Sequence, residues 1–149
     1  MPDDDLLSPA QFQELRETLD QVPFARLLGI ALVAAGRGTA TLRLPITDQL
    51  RQIHNVMHGG AVAALIDTAT AFAIVPLMGR QQKFSTVDLT VNYLQPLKQG
   101  SATAQARVLR FGGRLITVAA DVFDDAGNLS ATALSTYAKL GQSSVPDNL

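Results

Sequence analysis

Hydrophobic and polar positions along the chain change period several times. From Gly59 to Met78 the text GGAVAALIDTATAFAIVPLM is apolar on nearly every side, the pattern of a helix enclosed by protein. It also approaches the ~20 residues of a bilayer span. Asp67 at its middle and Pro76 near its end argue for a protein interior instead. After Gly79 the period becomes two: Val87, Leu89, Val91 and Tyr93 share one face, and Thr86, Asp88, Thr90 and Asn92 the other. Pro96 and Gly100 end that strand. A second runs Ser101 to Phe111 through Ala102, Ala104, Ala106 and Val108, and Gly112-Gly113 turns it. Arg114 to Phe123 and Leu129 to Leu140 are two more, joined by Asp124-Asp125-Ala126-Gly127-Asn128.

Upstream, Ser8-Pro9 and Gln11 open a capped amphipathic helix over about residues 8–22. Gly29 to Ile46 reads as a strand or hairpin, with Leu42, Leu44 and Ile46 in alternation and Gly36 and Gly38 at a turn. Thr47 to Met57 has no period. Its polar Gln49, Arg51, Gln52, His54 and Asn55 form a loop delivering side chains to the start of the central helix. The class expected is α+β, one domain over residues 1–149. Four late strands on short links pair antiparallel, since parallel pairing needs long crossovers, and one sheet hides an all-apolar helix only by curling about it. That is the hotdog fold. It leaves sheet edges and one helix flank bare, so a dimer or tetramer is expected.

Composition narrows the chemistry. Twelve basic against thirteen acidic residues give a net charge of -1 in 149 residues, without the cationic excess of a nucleic-acid binder. No cysteine and two histidines exclude disulfides and cysteine-based zinc sites, and the carboxylates show no metal-ligand spacing. The acidic start is unlike an export signal. A cytoplasmic protein without a metal or cofactor, off the membrane, is the expectation.

The sharpest local feature is His58-Gly59-Gly60 at the helix start, with Gln52 six residues before His58 and Asp67 nine after it. Glycines there expose backbone N–H groups to a ligand, and the helix dipole favours negative charge. The Gly59 N–H, aided by His58 or Gln52, suits the oxyanion of an ester or thioester under attack. His58 also reads as an ordinary end-of-loop side chain. Asp67 among alanines, leucine and isoleucine is costly to bury without a purpose. It can activate water or attack directly, or instead bond structurally to Thr68 or Thr70. At ~100° per residue, nine steps place the His58-Gly59 end and Asp67 on opposite sides of the helix, so two chains are needed to bring them together.

Gln52, His58-Gly59-Gly60 and Asp67, followed by Ser85-Thr86-Val87-Asp88-Leu89-Thr90-Val91-Asn92-Tyr93-Leu94-Gln95-Pro96, resemble the PaaI-like branch of the hotdog-fold acyl-CoA thioesterases. The resemblance runs from about Val22 to Leu140. It implies hydrolysis of a coenzyme A thioester to free acid and coenzyme A, with Gly59 N–H on the carbonyl and Asp67 of a partner subunit as general base or nucleophile. Gln52 and His58 would orient the reacting groups. Thr86 stands where relatives carry a hydroxyl that positions water, and reads equally as a strand threonine; Thr70 is the other candidate to support the carboxylate. Asn55, Gly60 and Thr70 are candidates for substrate contact. Coenzyme A phosphates call for basic residues, and of Lys98, Arg107, Arg110 and Arg114 the last, beside Gly112-Gly113, is preferred. A homotetramer of shared-site dimers completes this reading. Two others keep the fold, a non-catalytic acyl-CoA-binding sensor and an enoyl-CoA hydratase; no appended effector segment favours the first, and the HGG spacing argues against the second.

Overall fold

The computed structural model describes residues 5–141; the acidic residues 1–4 lie outside them. Helix α1 (Pro9–Asp20) opens with a reciprocal cap: Ser8 Oγ accepts the Gln11 N–H at 3.2 Å, and Gln11 Oε1 accepts the Ser8 N–H at 2.9 Å. Its Leu15 and Leu19 are buried. A second short helix, α2 (Pro23–Leu28), closes on Gly29 at φ 85°. Six residues are too few for a helical period to declare itself, and Gly29 is a left-handed cap rather than the start of a strand.

Strands β1 (Ala31–Gly36) and β2 (Thr39–Pro45) form a hairpin, and β2 turns Ala40, Leu42 and Leu44 into the core. A 3-10 turn at Asp48–Leu50 leads to α3 (Gly59–Ile74). Pro76, lacking an N–H, passes the helix into a 3-10 turn at Val75–Leu77. Then come β3 (Lys83–Tyr93), β4 (Ser101–Phe111), β5 (Leu115–Phe123) and β6 (Leu129–Leu140).

The six strands make one antiparallel sheet in the order β1-β2-β4-β5-β6-β3. Short links suggested that consecutive strands pair, and β4-β5-β6 do. Strand β3 does not pair with β4. The seven residues between them, 94–100, reach roughly 23 Å extended, and three strand spacings are only about 14 Å. The link therefore crosses the end of the sheet, anchored by buried Leu97, whose carbonyl accepts the Met57 N–H at 2.8 Å. This crossing puts β3 at the open edge.

Helix α3 packs chiefly on β2, β4 and β5. Together with the 3-10 turn that follows, it runs Gly59–Leu77, long and apolar enough for a membrane span, yet Leu65, Ile66, Ala69 and Ile74 are wholly enclosed by the protein's own core. One stripe of it, through Ala63, Ala64, Asp67, Thr68 and Ala71, stays half-open. Strand β3 is exposed along most of its length, with Val87 at 63% and Tyr93 at 55%. Replacing Leu65, at zero exposure, by alanine is expected to cost about 2–5 kcal/mol, read as a lower urea midpoint with an unchanged slope.

Candidate active site

The loop before α3 is knotted by its own polar groups. Arg51 donates to the carbonyls of Asn55 and Lys98, both at 2.6 Å. Asn55 adopts φ 62°, the left-handed turn its side chain tolerates, and its N–H reaches Gln52 O at 2.9 Å. Gln52 Oε1 accepts the His54 N–H. Gln52 and Asn55 thus shape the turn that aims residue 58, and Gln52 keeps its amide NH2 for other partners.

His58 is the N-cap. Its Nδ1 accepts the Gly60 N–H at 2.8 Å, so the neutral ring carries its proton on Nε2. A Cβ on Gly60 would lie 2.9 Å from that nitrogen, which is why glycine stands there. The Ala61 N–H returns to His58 O at 2.9 Å. Gly59 differs: among the described residues its N–H has no acceptor, as befits the first residue of a helix. Tyr93 packs against it. Its hydroxyl donates to Gly59 O at 2.7 Å, and a Cβ on Gly59 would meet Tyr93 Cζ at 3.3 Å. A cavity of about 340 Å³ opens beside Gly59, walled by Val62, Tyr93, Leu94 and Leu97.

Asp67 lies two turns further on, half-buried. Thr86 Oγ1 donates to its Oδ1 at 2.9 Å, and Tyr137 Oη sits 3.2 Å from the same oxygen and 2.9 Å from the Asp67 carbonyl. Strict alternation would put Thr86 on the face away from the helix. A bulge at Val87, between the pairs Thr86↔Tyr137 and Asp88↔Thr136, turns it back, so Thr86 joins Leu89, Val91 and Tyr93 on the helix side. Oδ2 has no partner among the described residues. Burial raises the Tyr137 hydroxyl to about 12, and the Asp67 charge adds to the rise. At neutral pH it remains a protonated donor.

Thr70 corrects one expectation. It is fully buried, bonded to Ile66 O at 3.0 Å and to Tyr137 Oη at 2.7 Å, so it supports the carboxylate through Tyr137 and does not line an open cleft. Thr68 turns instead to Ala64 O at 2.8 Å. The Gly60 N–H is likewise taken, by His58. The angular argument also changes. Counted from Gly59, the first helical residue, eight steps give about 80° net rotation, and Gly60 falls on the Asp67 stripe. What parts Gly59 from Asp67 in one chain is about 12 Å of helix axis. Arg114 projects from the β4–β5 turn without a side-chain partner among the described residues, whereas Arg107 is paired with Asp121 at 3.2 Å. The sequence places Arg51 in the loop before α3 and Tyr93 on the apolar face of its strand without assigning either a partner, and nothing local marks Tyr137. Among the described residues no three His, Asp or Glu side chains gather as a metal site would.

An antiparallel sheet wrapped on a helix, with a glycine pair at its start and one carboxylate at its middle, defines the hotdog thioesterase class. The chain belongs to the thioesterase superfamily, whose family model matches residues 54–131. A Saccharolobus solfataricus protein whose name provisionally calls it an esterase is 30% identical over 137 residues, 92% of this chain and 91% of its own. The medium/long-chain acyl-CoA thioesterase YigI of Salmonella typhimurium is 26% identical over 133 residues, 78% of this chain and 84% of its own. The E. coli PaaI protein from the phenylacetic acid degradation operon shares the fold with TM-score 0.80 at 23% identity, covering 87% of this chain and 93% of that one.

Tyr137 yields a pH prediction. Its folded value lies at about 12 against 10.0 unfolded, so its contribution is complete below pH 10 and is lost as pH rises from 10 to 12. The Tyr137→Phe variant is expected to be less stable at pH 9 by about 1 kcal/mol, with the gap narrowing at pH 11.5 in urea titrations.

Proposed function

We propose that the protein hydrolyses acyl-CoA thioesters without a cofactor, at two sites built across a homodimer. The observation that carries this reading is the Asp67 carboxylate. It is tied through Oδ1 to two hydroxyls while Oδ2 has no partner among the described residues, on the half-open stripe of an otherwise enclosed helix. A carboxylate so held is oriented for chemistry rather than for packing.

Oδ2 takes a proton from a water, and the oxygen attacks the thioester carbon. The carbonyl electrons move onto oxygen, which the unpartnered Gly59 N–H of the other subunit stabilises together with the positive end of α3. Collapse breaks the C–S bond, and Asp67 returns the proton to the leaving thiolate. If Asp67 attacks directly, the C–S bond breaks to release the coenzyme A thiolate, which takes its proton from solvent, and leaves a mixed anhydride that water then opens, with the same amide holding the oxyanion. His58 and Gln52 frame that amide, His58 presenting its Nε2–H. Asn55 and Gly60 border the substrate through the backbone they shape, and Arg114 is the proposed coenzyme A phosphate contact.

The partner is supported by the open edge of β3, where Val87 and Tyr93 are exposed. An eleven-residue edge strand with apolar side chains invites a second copy. Two α3 helices brought side by side there would set each Asp67 against the other's Gly59. On the outer sheet face Leu115 and Leu134 are exposed at 52% and 47%, a second apolar surface suited to joining dimers into a tetramer. Names of relatives that include an acyl-CoA thioesterase support the substrate class.

Thiol release from a panel of acyl-CoAs tests the reaction. Asp67→Asn keeps an acceptor for Thr86 and is expected to lose roughly 100- to 10,000-fold in kcat. The amide is tested by a matched pair. Gly59→Ala and Gly59→Pro both place a Cβ against Tyr93, and proline suits the first helical position because His58 is already extended at φ -62°, ψ 134°. Only proline removes the N–H. It is expected to cost a further 100- to 1000-fold or thereabouts, and equal activity of the two variants would sink the oxyanion role. Mixing inactive Asp67→Asn with inactive Gly59→Pro is expected to restore part of the activity through mixed dimers. Binding of acyl-CoA without thiol release would point to a sensor instead.

A further inference from the structure

We infer that Tyr93 is a positioning residue for the oxyanion amide: its hydroxyl ties the start of α3 to the sheet, so that the Gly59 N–H stands where the thioester carbonyl needs it. This rests on the thioester reading above. Two adjacent glycines make a loose beginning for a helix, because without Cβ atoms their backbone has the most freedom to lose. At Gly59 that freedom acts on the one N–H that hydrolysis uses.

Two peptide planes meet at the Gly59 Cα. The first, between residues 58 and 59, carries the oxyanion N–H, and its carbonyl accepts the Ala61 N–H at 2.9 Å. The second, between residues 59 and 60, is bonded at both ends: its N–H goes to His58 Nδ1 at 2.8 Å, and its oxygen accepts the Tyr93 hydroxyl at 2.7 Å. His58 and Ala61 belong to the helix start and move with it. Tyr93 comes from β3, and among the described residues no other strand side chain bonds to residues 58–60. The ring adds a steric limit. Its Cζ, Oη and Cε1 stand within 3.4 Å of where a Cβ on Gly59 would lie, so the ring bars movement towards β3 while the hydroxyl bars movement away. Both residues line the same cavity, which leaves the held backbone next to open space. Displacing a reacting contact by about 1 Å costs on the order of 100-fold in rate, so a tie to the sheet has a kinetic consequence. Tyr93 is 55% exposed, and deleting its hydroxyl opens no hole in the core.

The experiment measures kcat and KM for thiol release from hexanoyl-CoA in the parent, Tyr93→Phe, Gly59→Pro and the double variant. Phenylalanine keeps the ring and removes the bond. In the parent background it is expected to lower kcat about tenfold with KM unchanged, because the oxyanion exists only beyond the ground state. In the Gly59→Pro background, where no N–H remains to be placed, the same change is expected to cost less than about twofold. Equal losses in both backgrounds, a loss carried by KM, or an unchanged kcat in Tyr93→Phe would overturn the assignment. A second measurement needs no turnover. In 15N-glycine-labelled protein the Gly59 amide is the one of eleven glycine signals that Gly59→Pro removes, and its order parameter is expected to fall from about 0.85 in the parent to below about 0.6 in Tyr93→Phe. An unchanged value overturns the positioning role even where rates fall. If the parent releases no thiol from any acyl-CoA, the thioester reading fails separately, and the order parameter alone then decides whether Tyr93 holds the amide.

Discussion

A carboxylate in the middle of an apolar core helix is the constraint on which the rest of this structure turns. Half-buried on that helix, Asp67 needs hydrogen-bond partners for the oxygen that faces the protein. The fold meets that need with hydroxyls drawn from two strands, Thr86 of β3 and Tyr137 of β6, which are direct neighbours in the sheet. Tyr137 in turn rests on Thr70, so the helix itself supplies the outer end of the chain of bonds. One irregularity makes this work. Without the extra residue at Val87, the side chain of Thr86 would face the other side of β3 and the carboxylate would keep only Tyr137.

The start of α3 solves a complementary problem. Helix N-termini leave unsatisfied N–H groups, and here His58 serves the second while its own carbonyl serves the third. Among the described residues only the first, on Gly59, has no acceptor. Tyr93 fixes that residue from the opposite direction by bonding its carbonyl, so the open amide sits on backbone held from both sides. The two glycines have different duties: at 60 the missing Cβ admits the imidazole, and at 59 it admits the Tyr93 ring.

Much of this was legible in the sequence because it depends on local pattern. The central helix, the alternating late strands, the Gly36–Gly38 turn and the antiparallel class follow from period and turn chemistry. The strand order does not, since whether residues 94–100 make a hairpin or a crossing depends on which neighbour β3 finds, and that is a long-range choice. The bulge was invisible for a related reason: Ser85-Thr86-Val87-Asp88 alternates perfectly, and only the pairing with β6 reveals the extra residue. Tyr137 was missed because its role lies seventy residues from Asp67 in the chain. Thr70 misled because helical spacing alone puts it near Asp67, while burial determines whether it can meet anything else.

The irregular strand also unites functions that seem separate. β3 is the edge of the sheet, the donor of Thr86 to Asp67, the source of Tyr93 beneath Gly59 and, through Phe84, a wall of a cavity under α1. In a symmetric pair formed along that edge, one strand would set the position of the carboxylate in its own subunit and of the amide that answers the partner's carboxylate. Any shift in its register by a single residue would exchange its two faces, removing Thr86 and Tyr93 from the helix together. Register of β3 therefore couples the packing of this strand to the positions of Thr86 and Tyr93 beside the central helix, and the bulge at Val87 is part of that register.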